Sequence, residues 1–416
     1  MLRTGQFDAV SFGPYQLSLT ASAPASHAAG KTTLSIIVAV SVCHLINDVM
    51  QSMLSAIYPL LKTNYQLDYV QIGLLTLTFQ CVASLLQPAI GMYTDKRPLP
   101  YSLPVGMAAS LVGLIVLGMA QTYWLLLIGA AFVGLGSAIF HPESSRVARL
   151  ASGGRHGLAQ SMFQVGGNAG SAIGPLLAAF IVLPRGQWSV SLFAVGSLVG
   201  IFILWRVGNW YAEHQRNNAG KAPASKALIF SRRTTMIALI VLTVLTLTKN
   251  AYMASLSSYY TFFLIDKFQV GVQDAQLLLF VYLGASALGV FMGGPIGDRF
   301  GAKFVIWFSI LGVLPFTLAL PYADLTWTVI LTIIIGLIFS SAFSAIVVFA
   351  QELMPGRIGL IAGIFFGFAF GAGGIAAAAL GAVADFTSIE HVFWLCSFLP
   401  LAGLLTVFLP DMGKVR

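Results

Sequence analysis

The chain is poor in charge. Only 9% of its 416 residues are Asp, Glu, Lys or Arg, against 57% hydrophobic residues, whereas soluble domains carry about 25% charged residues. That shortage excludes a large water-facing domain, and with it a soluble enzyme, a nucleic-acid reader and a disordered scaffold. Cysteine is scarce as well. Cys43, Cys81 and Cys396 each sit inside an apolar run, without pairing pattern or metal spacing, so neither a disulfide framework nor a metal site is expected. No glycine-rich stretch carries the lysine of a phosphate-binding loop, so ATP is not the expected fuel and no cofactor is expected. The first 33 residues lack the apolar stretch of a cleavable signal and are read as a disordered tail.

What the chain has instead is long apolar runs. A helix needs about 20 residues to cross a bilayer, so twelve would use roughly 240 residues and leave only short connections. Runs broken by turn signals place spans at about 34–61, 70–92, 101–121, 123–148, 157–183, 189–211, 235–265, 272–296, 303–322, 326–352, 358–384 and 388–410. The reading is an all-α integral membrane protein of two six-helix bundles, over 34–211 and 235–410. A polar linker joins them over 212–234, and tails occupy 1–33 and 411–416.

The net charge of +8 could mark a polyanionic partner, but its placement argues otherwise. All but four of the 22 Lys and Arg fall on one side of the spans; Lys62, Arg185 and Lys267 fall on the other, and Lys249 lies within a span. Lys and Arg gather on the cytoplasmic side of membrane helices, so both termini are expected there. The halves also repeat. Gly91-Met-Tyr-Thr-Asp95-Lys96 recurs 203 positions later as Gly294-Pro-Ile-Gly-Asp298-Arg299, and Gly154-Arg155-His-Gly157-Leu158 recurs 202 positions later as Gly356-Arg357-Ile-Gly359-Leu360. Half-repeats around a central site are the construction of many secondary transporters.

These repeated segments, set in twelve spans and two halves, resemble the major facilitator superfamily. The copy at Gly294–Lys303 is close to that family's loop motif, while the first departs after Arg97, at Pro98-Leu-Pro100. The resemblance implies gating roles for Gly91, Asp95, Arg97, Gly294, Asp298 and Arg299. Gly170-x-x-x-Gly174-Pro175 is similar to the superfamily's antiporter motif, with Ala178 and Ala179 where glycines are common. Longer segments resemble the fosmidomycin-resistance branch: Ser41–Asp48, Phe140–Arg149, Gly153–Gln160, Phe163–Asn168, Tyr252–Thr261 and Ala350–Arg357. That likeness runs from about residue 34 to Asp411. It implies a monomeric exporter in the bacterial inner membrane that moves a small anionic drug, fosmidomycin or a related phosphonate, in exchange for protons. The proton gradient is then the energy source.

Ionisable groups inside a membrane are costly and face a cavity or a partner. In the first span His44, Asp48, Gln51, Ser55 and Tyr58 share one helix face, with Asn47 at its margin. Asp48 and Lys249 each lie 14 residues into matching spans of the two halves, about 21 Å deep at roughly 1.5 Å per residue. In the fold that the resemblance implies, both line the central cavity. They then either neutralise each other as a buried pair or divide the work, with Asp48 carrying the proton and Lys249 anchoring the anionic substrate. His44 could share the proton traffic or be structural. Tyr252 and Tyr259 add hydroxyls near Lys249. Asn47, Gln51 and the stripe Gln160, Gln164 and Asn168 offer substrate contacts or bridge helices. Glu143 with Arg146, and Glu352 with Arg357, are read as inner-gate pairs, Arg155 belongs with them, and Glu143 is also a reserve proton carrier. Two other functions compete. One is a proton-coupled importer of a sugar or organic acid. The other is a membrane acyltransferase built on His44-x-x-x-Asp48, with His141 and Glu143 completing a metal site.

Overall fold

The computed structural model describes residues 32–67, 69–218 and 228–412, and every regular element among them is helical. In lipid each backbone N–H and C=O must be satisfied within its own segment, which is why so apolar a chain folds as helices. Among the described residues twelve helices are long and apolar enough to cross a membrane. The first half holds α1 (Leu34–Ala56), α2 (Leu74–Lys96), α3 (Ser102–Met119), α4 (Tyr123–Ala151), α5 (His156–Arg185) and α6 (Gln187–Asn217). The second holds α7 (Arg232–Phe268), α8 (Leu277–Phe300), α9 (Ala302–Tyr322), α10 (Leu325–Leu353), α11 (Ile358–Phe386) and α12 (Ile389–Phe408).

The boundaries depart from the sequence reading in three informative places. The first span, expected to reach 61, stops at Ala56 and a short helix follows over Tyr58–Tyr65. Pro59 in that helix's first turn has no N–H with which to continue the helix before it. The repeated Gly-x-x-x-Asp segments, expected as loops, are the last helical turns of α2 and α8. Their polar side chains find partners on neighbouring helices, so the backbone has no reason to leave the helix. Helix α6 runs to Asn217 and α7 starts at Arg232, so both edges of the expected linker are helical. Residues 219–227 lie outside the described residues, as do most of the expected tails (1–31 and 413–416). Thr32 and Thr33 are placed: Thr32 Oγ1 donates to the Ser152 carbonyl (2.9 Å) and the Thr33 amide to that of Ala151 (2.8 Å). Lys303 Nζ donates to the Leu409 carbonyl. The start of α1, the end of α4, the start of α9 and the end of α12 therefore share one end of the molecule.

The halves meet along α2–α11 and α5–α8. Between α2 and α11 the fit loosens step by step. A Cβ on Gly91 would stand 2.1 Å from the Gly359 carbonyl oxygen; on Gly363, 2.4 Å from that of Gln87; on Gly367, 2.8 Å from that of Ser84; on Gly371 it would meet nothing within 4 Å. The two helices are pressed together at the end that carries the repeated motifs and splay apart toward the other. Within the first half, α5 lies against α1 in the same backbone-to-backbone manner. A Cβ on Gly166 or Gly170 would stand 2.1 Å from the Ser41 oxygen or 2.3 Å from the Leu45 oxygen. Pro175 follows, and the helix passes into a π-turn over Ala178–Val182.

Candidate functional site

The close α1–α5 contact buries a polar cluster. Asp48, His44 and His141 are 6%, 2% and 0% exposed, so what surrounds them decides what they can do. The Nε2 atoms of His44 and His141 are 3.2 Å apart. Asp48 Oδ2 is 3.5 Å from His44 Nε2, and Asp48 Oδ1 is 3.7 Å from His141 Nε2. Asn47 Nδ2 and Gln51 Nε2 donate to Asp48 Oδ1 at 3.1 and 3.0 Å, and Ser171 Oγ reaches Oδ2 at 3.5 Å. The rings are held from behind: His44 Nδ1 faces the Phe163 carbonyl (2.7 Å) and His141 Nδ1 that of Ser137 (3.0 Å). Gly167 makes room, since a Cβ there would stand 2.4 Å from the His44 ring. Asn47 and Gln51, expected as substrate contacts, spend their amides on Asp48. His141, offered by the sequence only as a metal-site partner of Glu143, completes the cluster. Its depth was countable, ten residues back from Ala151, or about 15 Å; only the partner helix was not. Among the described residues this is the cluster with the ligand types for a metal, and its two imidazole nitrogens also stand at hydrogen-bond distance from each other.

Lys249 does not pair with Asp48. It is 6% exposed, and its ammonium lies 5.8 Å from the centre of the Phe343 ring, a cation–π contact. No carboxylate among the described residues lies within ion-pair distance of it. Between the two charges runs a file of rings: His141 packs on Phe366 (5.2 Å between centroids), and Phe366 packs edge-on against Phe343 (5.3 Å). The buried-ion-pair alternative is thus replaced by two sites with an aromatic partition between them. The physical reason is that a His–Asp cluster satisfies the carboxylate inside one half. Several buried polar atoms on α2, α5 and α7 have no hydrogen-bond partner: Gln80 Oε1, both amide atoms of Gln87, Gln164 Oε1, Asn250 Nδ2 and the Tyr252 hydroxyl. Buried atoms left this way are where a polar ligand or water completes the bonding. Tyr252 is packed edge-on against Phe339, Tyr259 donates to the Ala377 carbonyl (2.6 Å) and so ties α7 to α11, and Asn168 is exposed.

At the closed end the two halves cap each other. Asp95 accepts from the amides of Gly359 (2.9 Å) and Leu360 (2.8 Å) in the first turn of α11. Asp298 accepts from the amides of Gly157 (2.7 Å) and Leu158 (2.9 Å) in the first turn of α5. Each carboxylate thus accepts from orphan donors of a helix in the opposite half and sits at its positive end. Close approach makes this possible: a Cβ on Gly294 would stand 2.3 Å from the Gly157 oxygen. The halves are not equal, however. Arg146 bridges Asp95 (2.7 Å) and Glu143 (3.0 Å) on the first side, and Ser102 Oγ donates to Glu143 at 3.1 Å. Glu143, the reserve proton carrier, therefore belongs to this gate and not to the Asp48 cluster. On the second side Arg357 is exposed and Glu352 half-buried, so that pair does not copy the first. Arg155 and Arg97 are also exposed, and Arg299 lies over the Phe300 ring at 5.2 Å. Gln351 of α10 adds a further link, donating to Ser145 Oγ (3.1 Å) and accepting from Arg149 (3.3 Å).

The sequence profile of the Major Facilitator Superfamily matches residues 40–365 and 250–416. The chain belongs to that superfamily. It is 55% identical over 391 residues to the fosmidomycin resistance protein of Escherichia coli (strain K12), covering 94% of this chain and 96% of that one. It is 40% identical to the uncharacterized MFS-type transporter YfnC of Bacillus subtilis (strain 168), covering 93% and 95%. Among solved structures it resembles the superfamily transporter FucP in the outward conformation, with a TM-score of 0.71 at 14% identity over 90% of this chain and 99% of that one; that likeness bears on the fold alone. As a superfamily member with twelve spans in two halves, the protein is a multi-pass membrane transporter that works by alternating access, and not an enzyme. The acyltransferase reading of His44 and Asp48 falls with it.

Proposed function

We propose that this protein is a proton-coupled antiporter that exports a small anionic phosphonate, of the fosmidomycin type, across the bacterial inner membrane. The observation that carries the reading is the division of buried charge. A carboxylate–imidazole cluster suited to holding a proton lies in one half, and an unpaired ammonium suited to an anion lies in the other. The name of the Escherichia coli relative supports the choice of drug, and the antiporter-like Gly170, Gly174 and Pro175 support exchange. The one-sided distribution of Lys and Arg supports cytoplasmic termini. The closed end is then cytoplasmic, and the cavity faces outward.

Coupling passes through the partition. An anion bound at Lys249 draws the ammonium off Phe343; that ring is packed on Phe366, and Phe366 covers His141. Substrate and proton therefore act on opposite ends of one file of rings without touching. Export is favoured twice: an anion leaving a negative interior gains about 2.3 kcal/mol per charge per 100 mV, and an entering proton gains a similar amount. The test is substrate-driven proton flux in proteoliposomes. With an imposed pH gradient the wild type accumulates fosmidomycin and releases protons to the opposite side in step. Sugar or organic-acid uptake down the same gradient, with no movement of fosmidomycin, overturns the reading in favour of an importer.

A further inference from the structure

The buried cluster keeps an account of its own protons. Gln51 donates Nε2 to Asp48, so its Oε1 faces Ser137 Oγ at 3.1 Å and must receive the serine's only proton. Ser137 therefore has no proton left for His141 Nδ1, although the two atoms are 3.2 Å apart. His141 Nδ1 must itself be protonated, donating to the Ser137 carbonyl 3.0 Å away. His44 Nδ1 is likewise a donor, because its partner, the Phe163 carbonyl at 2.7 Å, can only accept. Both Nδ1 positions being filled, two neutral rings would turn bare Nε2 lone pairs on each other across 3.2 Å, in a site almost closed to water. One added proton removes that conflict. Of the three edges of the triad only the Nε2–Nε2 edge has hydrogen-bond length; those to Asp48 are 3.5 and 3.7 Å. Asp48 Oδ1 meanwhile accepts from both Asn47 and Gln51, so that oxygen carries no proton of its own.

Resting on the proton-coupled reading above, we propose that the coupling proton is held between Nε2 of His44 and Nε2 of His141, and that Asp48 is its counter-charge and not its carrier. The step is a simple protonation: an imidazole lone pair takes the proton entering from the open side, an Nε2–H bond forms, and the same bond breaks to release it on the other side. Among the described residues the charged and titratable groups facing the pair are few. Helix α1 brings His44 and Asp48, α4 brings His141, α5 brings Phe163 and Ser171, and α11 brings Phe366. The nearest further charges on α4, Glu143 and Arg146, are engaged with each other and with Asp95. Phe366 comes from the opposite half, so the rocking of the halves that alternates access also uncovers the pair.

The experiment compares His141→Gln and Asp48→Asn in proteoliposomes with fosmidomycin as probe, scoring gradient-driven accumulation and substrate counterflow from pH 5 to 8. His141→Gln is expected to lose accumulation at every pH while keeping counterflow, because glutamine bonds but takes no proton. Asp48→Asn is expected to lose accumulation near neutrality and to regain it in more acid medium, by about 1–3 pH units, since the pair still binds a proton without its counter-charge. Accumulation by His141→Gln, with Asp48→Asn dead at every pH, makes the carboxyl the carrier and overturns the proposal. So does loss of wild-type coupling on chelation with recovery on zinc, which would put a metal between the rings. A wild type that accumulates the probe without moving protons sinks the proton-coupled reading itself. Wild-type protein labelled with 15N-histidine gives a check that needs no variant. One Nε2–H shared by two rings is expected, and two independent neutral rings refute it.

Discussion

At the residue scale the two buried charges are separated by what surrounds them. Lys249 has a ring for a neighbour and no carboxylate, so its ammonium is available to an anion in a way a salt-bridged lysine is not. Lys249→Ala is expected to weaken phosphonate binding at least tenfold by calorimetry, a loss of about 1.4 kcal/mol or more, as for other hydrogen bonds to charged groups. Lys249→Arg is expected to restore only part of it, because a planar fork presents its donors differently from an ammonium. Binding unchanged in both variants would make Lys249 structural. Phe366 answers a different question. Its ring packs on His141 and Phe163, so Phe366→Ala is expected to open the histidine pair to the cavity. Vesicles carrying it should then leak protons without substrate, while vesicles with the wild type hold their gradient.

At the scale of the helix, function depends on how closely α5 can approach α1. Gly170 meets the Leu45 carbonyl and stands beside Asp48, so even one added methyl pushes the polar cluster apart. Gly170→Ala is expected to cost about 1–3 kcal/mol, in the range of overpacking in a tight core, and to depress transport even though no polar group is removed. Gly371→Ala is the matched control. It lies on α11 beyond the point where the halves diverge, and its Cβ would meet nothing within 4 Å. Thermal stability and transport near wild type are expected there. Equal damage from both substitutions would refute the packing argument.

For the whole molecule, the reciprocal caps set the balance between states. Asp95 and Asp298 join opposite halves only when the motif-bearing end is closed, and a hydrogen bond to a charged group contributes about 1.5–3 kcal/mol. A few kcal/mol is also the usual gap between transporter-like alternative conformations. Asp298→Ala is therefore expected to move the population toward the state open at that end, seen as longer spin-label distances between the starts of α5 and α9. Asp95→Ala removes the two amide bonds to the start of α11 and is expected to shift the population in the same direction. Distances unchanged in both variants would show that the caps are incidental to the balance.

Much of this was open to reading in the sequence, and the division follows from physical range. Apolar run length is a local property, and so the twelve spans, the two halves and the sidedness of Lys and Arg could be read along the chain. The Gly-x-x-x-Asp repeats announced themselves because duplication leaves its mark in spacing. Helix ends were less legible: whether Asp95 ends a helix or floats in a loop depends on the amides of Gly359 and Leu360, 264 and 265 positions away. The partners of the buried charges were legible only along one helix, where His44, Asn47 and Gln51 neighbour Asp48. Along the chain Asp48 and Lys249 read as equal in depth and opposite in sign, and one dimension offers no reason to keep them apart. The packing of α1 on α5 and α4 decides that Asp48 takes two histidines, and the packing of α10 on α11 places Phe343 and Phe366 between it and Lys249. Depth within a membrane is counted along a helix, but azimuth and neighbours belong to the packed bundle.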